Sequence, residues 1–217
     1  MIGFYNYTVI LTYIGLFSSA FGIFLTIEGH FLAAMFCLII SGTCDMFDGC
    51  VARSHKGRSE SAKCFGIQID SLCDLVCFGV FPGIFNYIFT ATYNQNFKLE
   101  AAFISALFIL CAVIRLGYFN VMEMERQKET TEARKYYQGL PVTSIAFFLP
   151  LVYSLRNLFN TNLFSLVVNI FICLVALLFV LNIKVIKPHK KGIIAMSILG
   201  FMMIVVLALQ GAGIANF

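Results

Sequence analysis

Residues 31–53 read FLAAMFCLIISGTCDMFDGCVAR, an apolar run that ends in two aspartates, Asp45 and Asp48, immediately before a basic loop. After that loop, Asp70 and Asp74 stand in a second apolar run, residues 66–90. About 20 apolar residues cross the ~30 Å hydrocarbon core of a bilayer as a helix. The order therefore predicts two membrane helices joined by a turn at one membrane surface, each with a carboxylate pair near that surface.

The composition extends this prediction to the whole chain of 217 residues. The chain is 60% hydrophobic and 12% charged, whereas a soluble domain has roughly 25% charged residues, so a soluble protein is excluded. Apolar runs that approach spanning length lie at residues 5–27, 31–44, 66–90, 99–122, 142–155, 163–183 and 192–209. We therefore expect an all-α integral membrane protein, a polytopic bundle of six to eight transmembrane helices with seven visible, in a single domain over residues 1–217.

Lysines and arginines predict the orientation, because cytoplasmic loops retain them during membrane insertion. Twelve of the 15 lie in residues 53–63, 126–135 and 184–191, and seven spans place these segments on one side. We expect that side to be the cytoplasm, with the N-terminus and the aspartate-bearing ends of helices 2 and 3 on it. The expected location is the cell membrane, with the basic loops near anionic lipid. Nucleic acid is not an expected partner, since no basic and aromatic surface accumulates outside the membrane.

The four aspartates of the chain are Asp45, Asp48, Asp70 and Asp74. Their spacings of three and four residues put each pair on one helix face, at ~100° per residue. Both pairs are expected at a similar depth, where four carboxylates repel one another strongly unless divalent cations neutralise them. Hard oxygen ligands of this kind suit Mg²⁺ or Mn²⁺, which also accept phosphate oxygens and water.

Small residues and an arginine follow the first aspartate pair on the same predicted helix face. Gly49 and Ala52 would let a flat base or a phosphate approach the backbone. Arg53 can hold a pair of phosphate oxygens bidentately. On the next helix, Gly66 lies one turn before Asp70, so the same arrangement recurs.

Residues 45–53 (DMFDGCVAR) and 66–74 (GIQIDSLCD) together resemble the signature of the CDP-alcohol phosphotransferase family. The four acids, the two glycines, the alanine and the arginine of that signature are all in place. The loop at residues 54–65 is longer than in its common form, which affects loop contacts and leaves both helix faces intact. The resemblance implies that a CDP-linked lipid gives its phosphatidyl group to an alcohol and that CMP is released.

The same resemblance implies roles for individual residues. A pair of divalent cations, Mg²⁺ or Mn²⁺, would be bound by Asp45, Asp48 and Asp70. Asp74 would be the general base and would also touch a metal. The residues implied for the CDP site are Gly49, Ala52, Arg53 and Gly66. The chemistry agrees, because the reaction needs charge neutralisation at the pyrophosphate and removal of a proton from a poorly acidic hydroxyl.

Three further stretches resemble the phosphatidylserine synthase branch of the family: residues 65–79 (FGIQIDSLCDLVCFG), 114–120 (IRLGYFN) and 139–144 (GLPVTS). This branch implies CDP-diacylglycerol and L-serine as substrates, in the reaction of a CDP-diacylglycerol–serine O-phosphatidyltransferase. Inositol phosphate or glycerol 3-phosphate as the acceptor, or an archaeal ether lipid as the donor, are the alternatives. A homodimer is typical of the family and is the oligomeric state that the resemblance implies.

Arg115 is the first candidate for the acceptor site. It lies deep in the fourth predicted span, where an arginine is costly and usually faces a polar cavity or a partner. The alternatives for Arg115 are a structural ion pair and a snorkelling side chain. If it has a functional role, it would hold the acceptor or a phosphate, with Asn120, Gln68 and Gln138 as weaker candidates.

Two other functions are alternatives to a metal-assisted transferase. Acids inside membranes also mark ion-coupled transporters, but such acids are expected nearer mid-membrane, whereas these flank a basic turn. A phosphatidylserine synthase that works through a phosphohistidine needs an HxKxxxxD motif, and none of the three histidines, His30, His55 and His189, has that spacing. A metal-assisted transferase is therefore the preferred interpretation.

Overall fold

The computed structural model describes residues 9–54, 60–129, 136–186 and 190–213. Within these ranges the α-helices are α1 (Ile10–Ile27), α2 (Phe31–Ser54), α3 (Glu60–Asp74), α4 (Phe81–Tyr93), α5 (Lys98–Glu129), α6 (Ile145–Ser154), α7 (Thr161–Val180) and α8 (Lys190–Gly211). A π-helical segment, Leu75–Val80, joins α3 to α4 without a break. Two short strands, β1 (Tyr136–Gln138) and β2 (Lys184–Ile186), pair antiparallel.

The helices confirm the prediction of an all-α, multi-pass membrane protein. Five of the described helical segments are long and apolar enough to span a membrane, at Ile10–Ile27, Phe31–Asp48, Cys64–Tyr93, Gln95–Glu125 and Thr161–Val180. Two shorter apolar segments, Val142–Leu158 and Leu199–Gly211, correspond to the fifth and seventh predicted spans. In the third span, α3, the π-helical segment and α4 follow one another as one continuous helix.

Small residues along one face of α1 allow it to pack closely against α2. The buried residues of α1 are Thr12, Gly15, Ser19, Gly22 and Thr26. A Cβ on Gly22 would lie 2.9 Å from Cβ of Cys37 on α2 and 2.5 Å from the Phe81 ring on α4. Membrane helices gain their association from such close van der Waals contact rather than from a hydrophobic effect. The seam holds the first turn of α1 beside the aspartate-bearing part of α2.

A cluster of aromatic rings packs at the other end of α2 from the aspartates. Phe31, the first residue of α2, lies 5.0 Å between ring centroids from Phe89 on α4, and Phe89 lies 5.7 Å from Phe164 on α7. These contacts have the edge-on geometry that aromatic pairs prefer. Asp45 lies 14 residues further along α2, about 21 Å at ~1.5 Å per residue. The rings therefore fix the bundle at the side opposite to the candidate site.

A polar contact ties three helices together inside the bundle. The Asn86 amide on α4 donates to Ser105 Oγ on α5 at 3.0 Å and to Asn169 Oδ1 on α7 at 2.9 Å. Asn86 and Asn169 are buried, so these bonds have no competing water. Interhelical hydrogen bonds of this kind contribute about 0.6 kcal/mol on average in membrane proteins.

Two helix boundaries differ from those expected from hydropathy. The apolar run of the second span ends at Cys44, but α2 continues through both aspartates to Ser54, because polar side chains interrupt hydropathy without interrupting backbone hydrogen bonding. The fourth span, whose apolar run ends at residue 122, continues as a helix to Glu129. Further along the chain, Tyr136–Gln138 form the strand β1.

Candidate active site

Three of the four aspartates of α2 and α3 converge into one cluster, and Asp48 contacts it through Asp70. Asp45, Asp70 and Asp74 each offer a carboxylate oxygen, and these three oxygens lie within 4.8 Å of one another. The side chain of Asp45 contacts that of Asp74, and the side chain of Asp48 contacts that of Asp70. This crosswise pairing is expected because α2 and α3 run in opposite directions, so the first acid of α2 meets the last acid of α3.

The cluster fits a small divalent cation. Ligand oxygens around Mg²⁺ lie ~2.1 Å from the metal and therefore at most ~4.2 Å apart. Shifts of the carboxylate oxygens by a few tenths of an ångström would bring all three to this ligand distance. All the donors are hard carboxylate oxygens, the type that Mg²⁺ and Mn²⁺ prefer. Because each carboxylate is surrounded by others of the same charge, a cation is the natural means of offsetting their repulsion.

A small pocket with a cavity volume of about 10 Å³, room for about one water molecule, lies beside the cluster. It is enclosed by α1, α2, the end of α3 and the π-helical segment. Its lining consists of Thr12, Gly15, Ser41, Cys44, Asp45, Asp48, Cys73, Asp74, Cys77 and Phe78. The pocket joins three of the four aspartates to side chains of α1 that lie outside the aspartate motif.

The first helix contacts the cluster directly. Thr12 Oγ1 donates a hydrogen bond of 3.1 Å to Asp48 Oδ2, and both residues are buried. Thr12 lies outside the aspartate motif and was not predicted as a site residue. A signal was present, because Thr12, Gly15 and Ser19 start a stripe of small and polar residues at helical spacing in an otherwise apolar run.

The π-helical segment begins directly after Asp74, the last residue of α3. Its residues Cys77, Phe78 and Gly79 are buried, and two of them line the pocket. A Cβ on Gly79 would lie 3.1 Å from Cβ of Ala112 on α5, so the small residue permits close packing here. Short π-helical segments inside membrane or soluble helices are frequent at functional sites.

The residues expected to line a CDP site are described only in part. Gly49, Ala52 and Arg53 belong to α2 and continue the aspartate-bearing helix, but their side chains lie outside the described part of the chain. Gly66 lies in α3 and is half-buried, one turn before Asp70.

The expected acceptor residues occupy different places. Asn120 on α5 accepts a hydrogen bond of 2.9 Å at Oδ1 from Ser71 Oγ of α3, the residue that follows Asp70 in the chain. Gln68 is exposed on α3. Gln138 lies in β1, and its side chain is outside the described part. Ser71 was missed by the sequence analysis, since a serine between an aspartate and a leucine carries no distinguishing pattern.

Arg115 is 6% exposed and ties α5 to the segment before α6. Its Nε donates to the Leu140 carbonyl at 3.2 Å, and its guanidinium lies 5.5 Å from the centre of the Phe119 ring. Gly139 adopts φ +76°, and a Cβ there would lie 3.1 Å from the Phe179 carbonyl, so glycine is required for this turn. The arginine thus makes a structural hydrogen bond to a backbone carbonyl.

Several known proteins are similar to this chain in sequence. A sequence profile of the CDP-alcohol phosphatidyltransferase family matches residues 5–216. The CDP-diacylglycerol–serine O-phosphatidyltransferase of Saccharomyces cerevisiae is 34% identical over 136 residues, which cover 61% of this chain and 46% of that protein. The protein of the same name from Helicobacter pylori J99 is 30% identical over 193 residues, or 87% of this chain and 74% of that protein.

An archaeal relative carries a different name. The archaetidylserine synthase of Methanothermobacter thermautotrophicus is 33% identical over 142 residues, which cover 63% of this chain and 55% of that protein. The chain thus matches about half of the yeast and archaeal proteins and about three quarters of the Helicobacter protein. No solved structure matches the chain.

Proposed function

The chain belongs to the CDP-alcohol phosphatidyltransferase family, and we propose that it transfers the phosphatidyl group of CDP-diacylglycerol to L-serine, forming phosphatidylserine and CMP. The observation that carries the proposal is the convergence of Asp45, Asp70 and Asp74 within 4.8 Å. Serine as the acceptor is supported by the names of relatives from yeast, bacteria and archaea.

The family depends on divalent metals, and the chain has an acidic cluster that fits one. We propose two cations, Mg²⁺ or Mn²⁺, with Asp45, Asp48, Asp70 and Asp74 as the ligands. When bound, the cations offset the negative charge of the pyrophosphate and of the departing CMP. The aspartates contribute the carboxylate oxygens that hold the cations beside the pocket.

Asp74 is proposed as the general base. Its carboxylate lines the pocket and takes the proton of the serine hydroxyl. The serine oxygen then forms a bond to the phosphorus of the phosphatidyl group, while the bond from that phosphorus to the CMP oxygen breaks. A positioned base of this kind contributes about 10²- to 10⁴-fold to a rate.

The CDP moiety is proposed to lie along the cytoplasmic continuation of α2. This helix extends unbroken through Ser54, so Gly49, Ala52 and Arg53 all follow Asp48 within about a turn and a half. Arg53 would bind phosphate, and the small residues would admit the nucleotide to the backbone. Gly66 would serve the same purpose on α3.

The acceptor is proposed to bind between α3 and α5. The Ser71 to Asn120 hydrogen bond supports this placement, because it is a polar contact between α3 and α5 one residue after Asp70. Arg115 would hold the serine carboxylate, with its Nε bond to Leu140 keeping the guanidinium in place. Gln68 and Gln138 are weaker proposals for the same site.

The orientation and the assembly are also proposals. The three basic segments support a cytoplasmic N-terminus and a cytoplasmic active site in the cell membrane. We expect a homodimer and a single membrane domain, in keeping with the family.

A panel of substrates tests the proposed function. The purified chain is incubated with Mg²⁺ or Mn²⁺ and CDP-diacylglycerol or its ether-lipid counterpart, together with L-serine, inositol phosphate, glycerol 3-phosphate or no acceptor. We expect CMP release with L-serine and CDP-diacylglycerol, and phosphatidylserine as the lipid product. Release that requires another alcohol or the ether-lipid donor would retain the family and reject the proposed substrates.

A further inference from the structure

Thr12 is a hydroxyl-bearing residue of α1 that reaches the aspartate cluster from outside the motif. Its Oγ1 lies 3.1 Å from Asp48 Oδ2, and both residues are 8% exposed. Both also line the pocket together with Asp45 and Asp74. The contact is therefore inside the candidate active site and shielded from solvent.

The acceptor of this hydrogen bond distinguishes Thr12 from other threonines of the bundle. Thr26, Thr43 and Thr92 each donate to the carbonyl four residues earlier in the same helix. This is the usual use of a threonine hydroxyl within a helix. Thr12 instead donates to a carboxylate on the neighbouring helix.

The Asp48 side chain has a reason to turn away from the cluster. It contacts Asp70, so the two like charges repel each other. A hydroxyl that donates to Asp48 favours the conformation in which that carboxylate stays in the pocket. Because a carboxylate has two oxygens with about four lone-pair sites, it can accept the Thr12 bond and still ligate a cation.

We propose that Thr12 is a positioning residue, whose hydroxyl holds the Asp48 carboxylate in the orientation that binds a divalent cation at the aspartate cluster. The proposal rests on the proposed function, since it assigns Thr12 a role at the metal site of that enzyme. Partners that hydrogen-bond to metal ligands typically alter metal affinity by about 10- to 100-fold when they are lost.

Direct binding of Mn²⁺ tests the proposal without relying on turnover. The full chain is purified in detergent, and free Mn²⁺ is measured by electron paramagnetic resonance. We expect Thr12→Val to weaken Mn²⁺ binding by about 10-fold or more, whereas Thr12→Ser, which keeps the hydroxyl, binds as the unsubstituted chain does. Thr26→Val is the matched control, because Thr26 is buried on the same helix and bonds only within it in the described contacts.

A double substitution separates positioning from a general effect on the fold. In an Asp48→Asn background, Thr12→Val is expected to cause no additional loss of Mn²⁺ affinity, because Thr12 acts through Asp48. Thermal unfolding of each variant reports whether the bundle is intact. If Thr12→Val does not fold, Thr12→Ala in the same assay decides.

Two kinds of result would overturn the inference, and a third would overturn the proposed reaction alone. Unchanged Mn²⁺ affinity in folded Thr12→Val, or equal losses in Thr12→Val and Thr12→Ser, would overturn the role of Thr12 and leave the proposed function standing. Absence of Mn²⁺ binding by the unsubstituted chain would overturn the metal site and this inference together. Intact Mn²⁺ binding without CMP release would reject the proposed reaction and keep the role of Thr12.

Discussion

Asp45 on α2 and Asp74 on α3 contact each other across the two helices, with carboxylate oxygens no more than 4.8 Å apart. The first acid of the motif therefore meets the last, while Asp48 contacts Asp70. This arrangement places the proposed base beside the proposed metal ligands, and three of the four carboxylates line one pocket. It also means that loss of different aspartates should have different consequences.

Substitution of the proposed base should separate turnover from binding. In Asp74→Asn the side chain keeps its size but cannot take the serine proton, so we expect serine-dependent CMP release to fall by at least about 100-fold. Binding of CDP-diacylglycerol should largely persist, as measured with a labelled lipid. Glu125→Gln, an exposed carboxylate on α5, is the control. Near-normal turnover by Asp74→Asn would remove Asp74 from the base role.

Substitution of the proposed ligands should damage binding itself. Asp45→Ala and Asp70→Ala each remove a carboxylate from the cluster, so we expect Mn²⁺ affinity to fall by more than the about 10- to 100-fold that is typical of losing a supporting residue. Affinity for CDP should fall as well, because its phosphates lose the cation. If either variant binds Mn²⁺ as the unsubstituted chain does, that aspartate is not a ligand.

Asn120 provides a test of the acceptor side. Removal of its amide in Asn120→Ala should raise the KM for L-serine by about 3- to 10-fold, the effect expected for one lost hydrogen bond. The KM for CDP-diacylglycerol should stay unchanged. Asn157→Ala, an exposed asparagine in the turn before α7, serves as control. A change confined to the lipid KM would move Asn120 from the acceptor site to the donor site.

The contact between α2 and α6 predicts a stability effect unrelated to catalysis. A Cβ on Gly42 would lie 2.5 Å from Cβ of Ala146, so Gly42→Ala should lower the free energy of unfolding by about 1–3 kcal/mol through overpacking. A Cβ on Gly117 of α5 would meet none of the described atoms within 4 Å. Gly117→Ala should therefore match or exceed the unsubstituted chain in thermal stability in detergent. Equal stability of both variants would contradict the packing described here.

Much of the site follows from local patterns in the sequence. The three-residue spacing of Asp45 and Asp48, the four-residue spacing of Asp70 and Asp74, and the basic loop between the pairs already indicate two helices that meet at one surface. Helical periodicity and chain reversal are local properties, so they were sufficient to predict that the acids come together.

The contacts that were missed depend on tertiary packing. Thr12 reaches Asp48 only because the small-residue face of α1 lies against α2, and hydropathy alone does not pair these helices. The π-helical segment after Asp74 shifts the helical phase by a fraction of a turn within an unbroken apolar run, where periodicity carries little information. The strands β1 and β2 are three residues long, too short to give an alternating pattern.

The measurement that tests the central claim most directly is CMP release from CDP-diacylglycerol by the purified chain, with and without L-serine, after chelation with EDTA and after readdition of Mn²⁺. The account predicts release only when serine and the cation are both present, and none from Asp70→Ala under the same conditions. Full release in excess EDTA, or by Asp70→Ala, would contradict a metal-dependent transfer at the aspartate cluster.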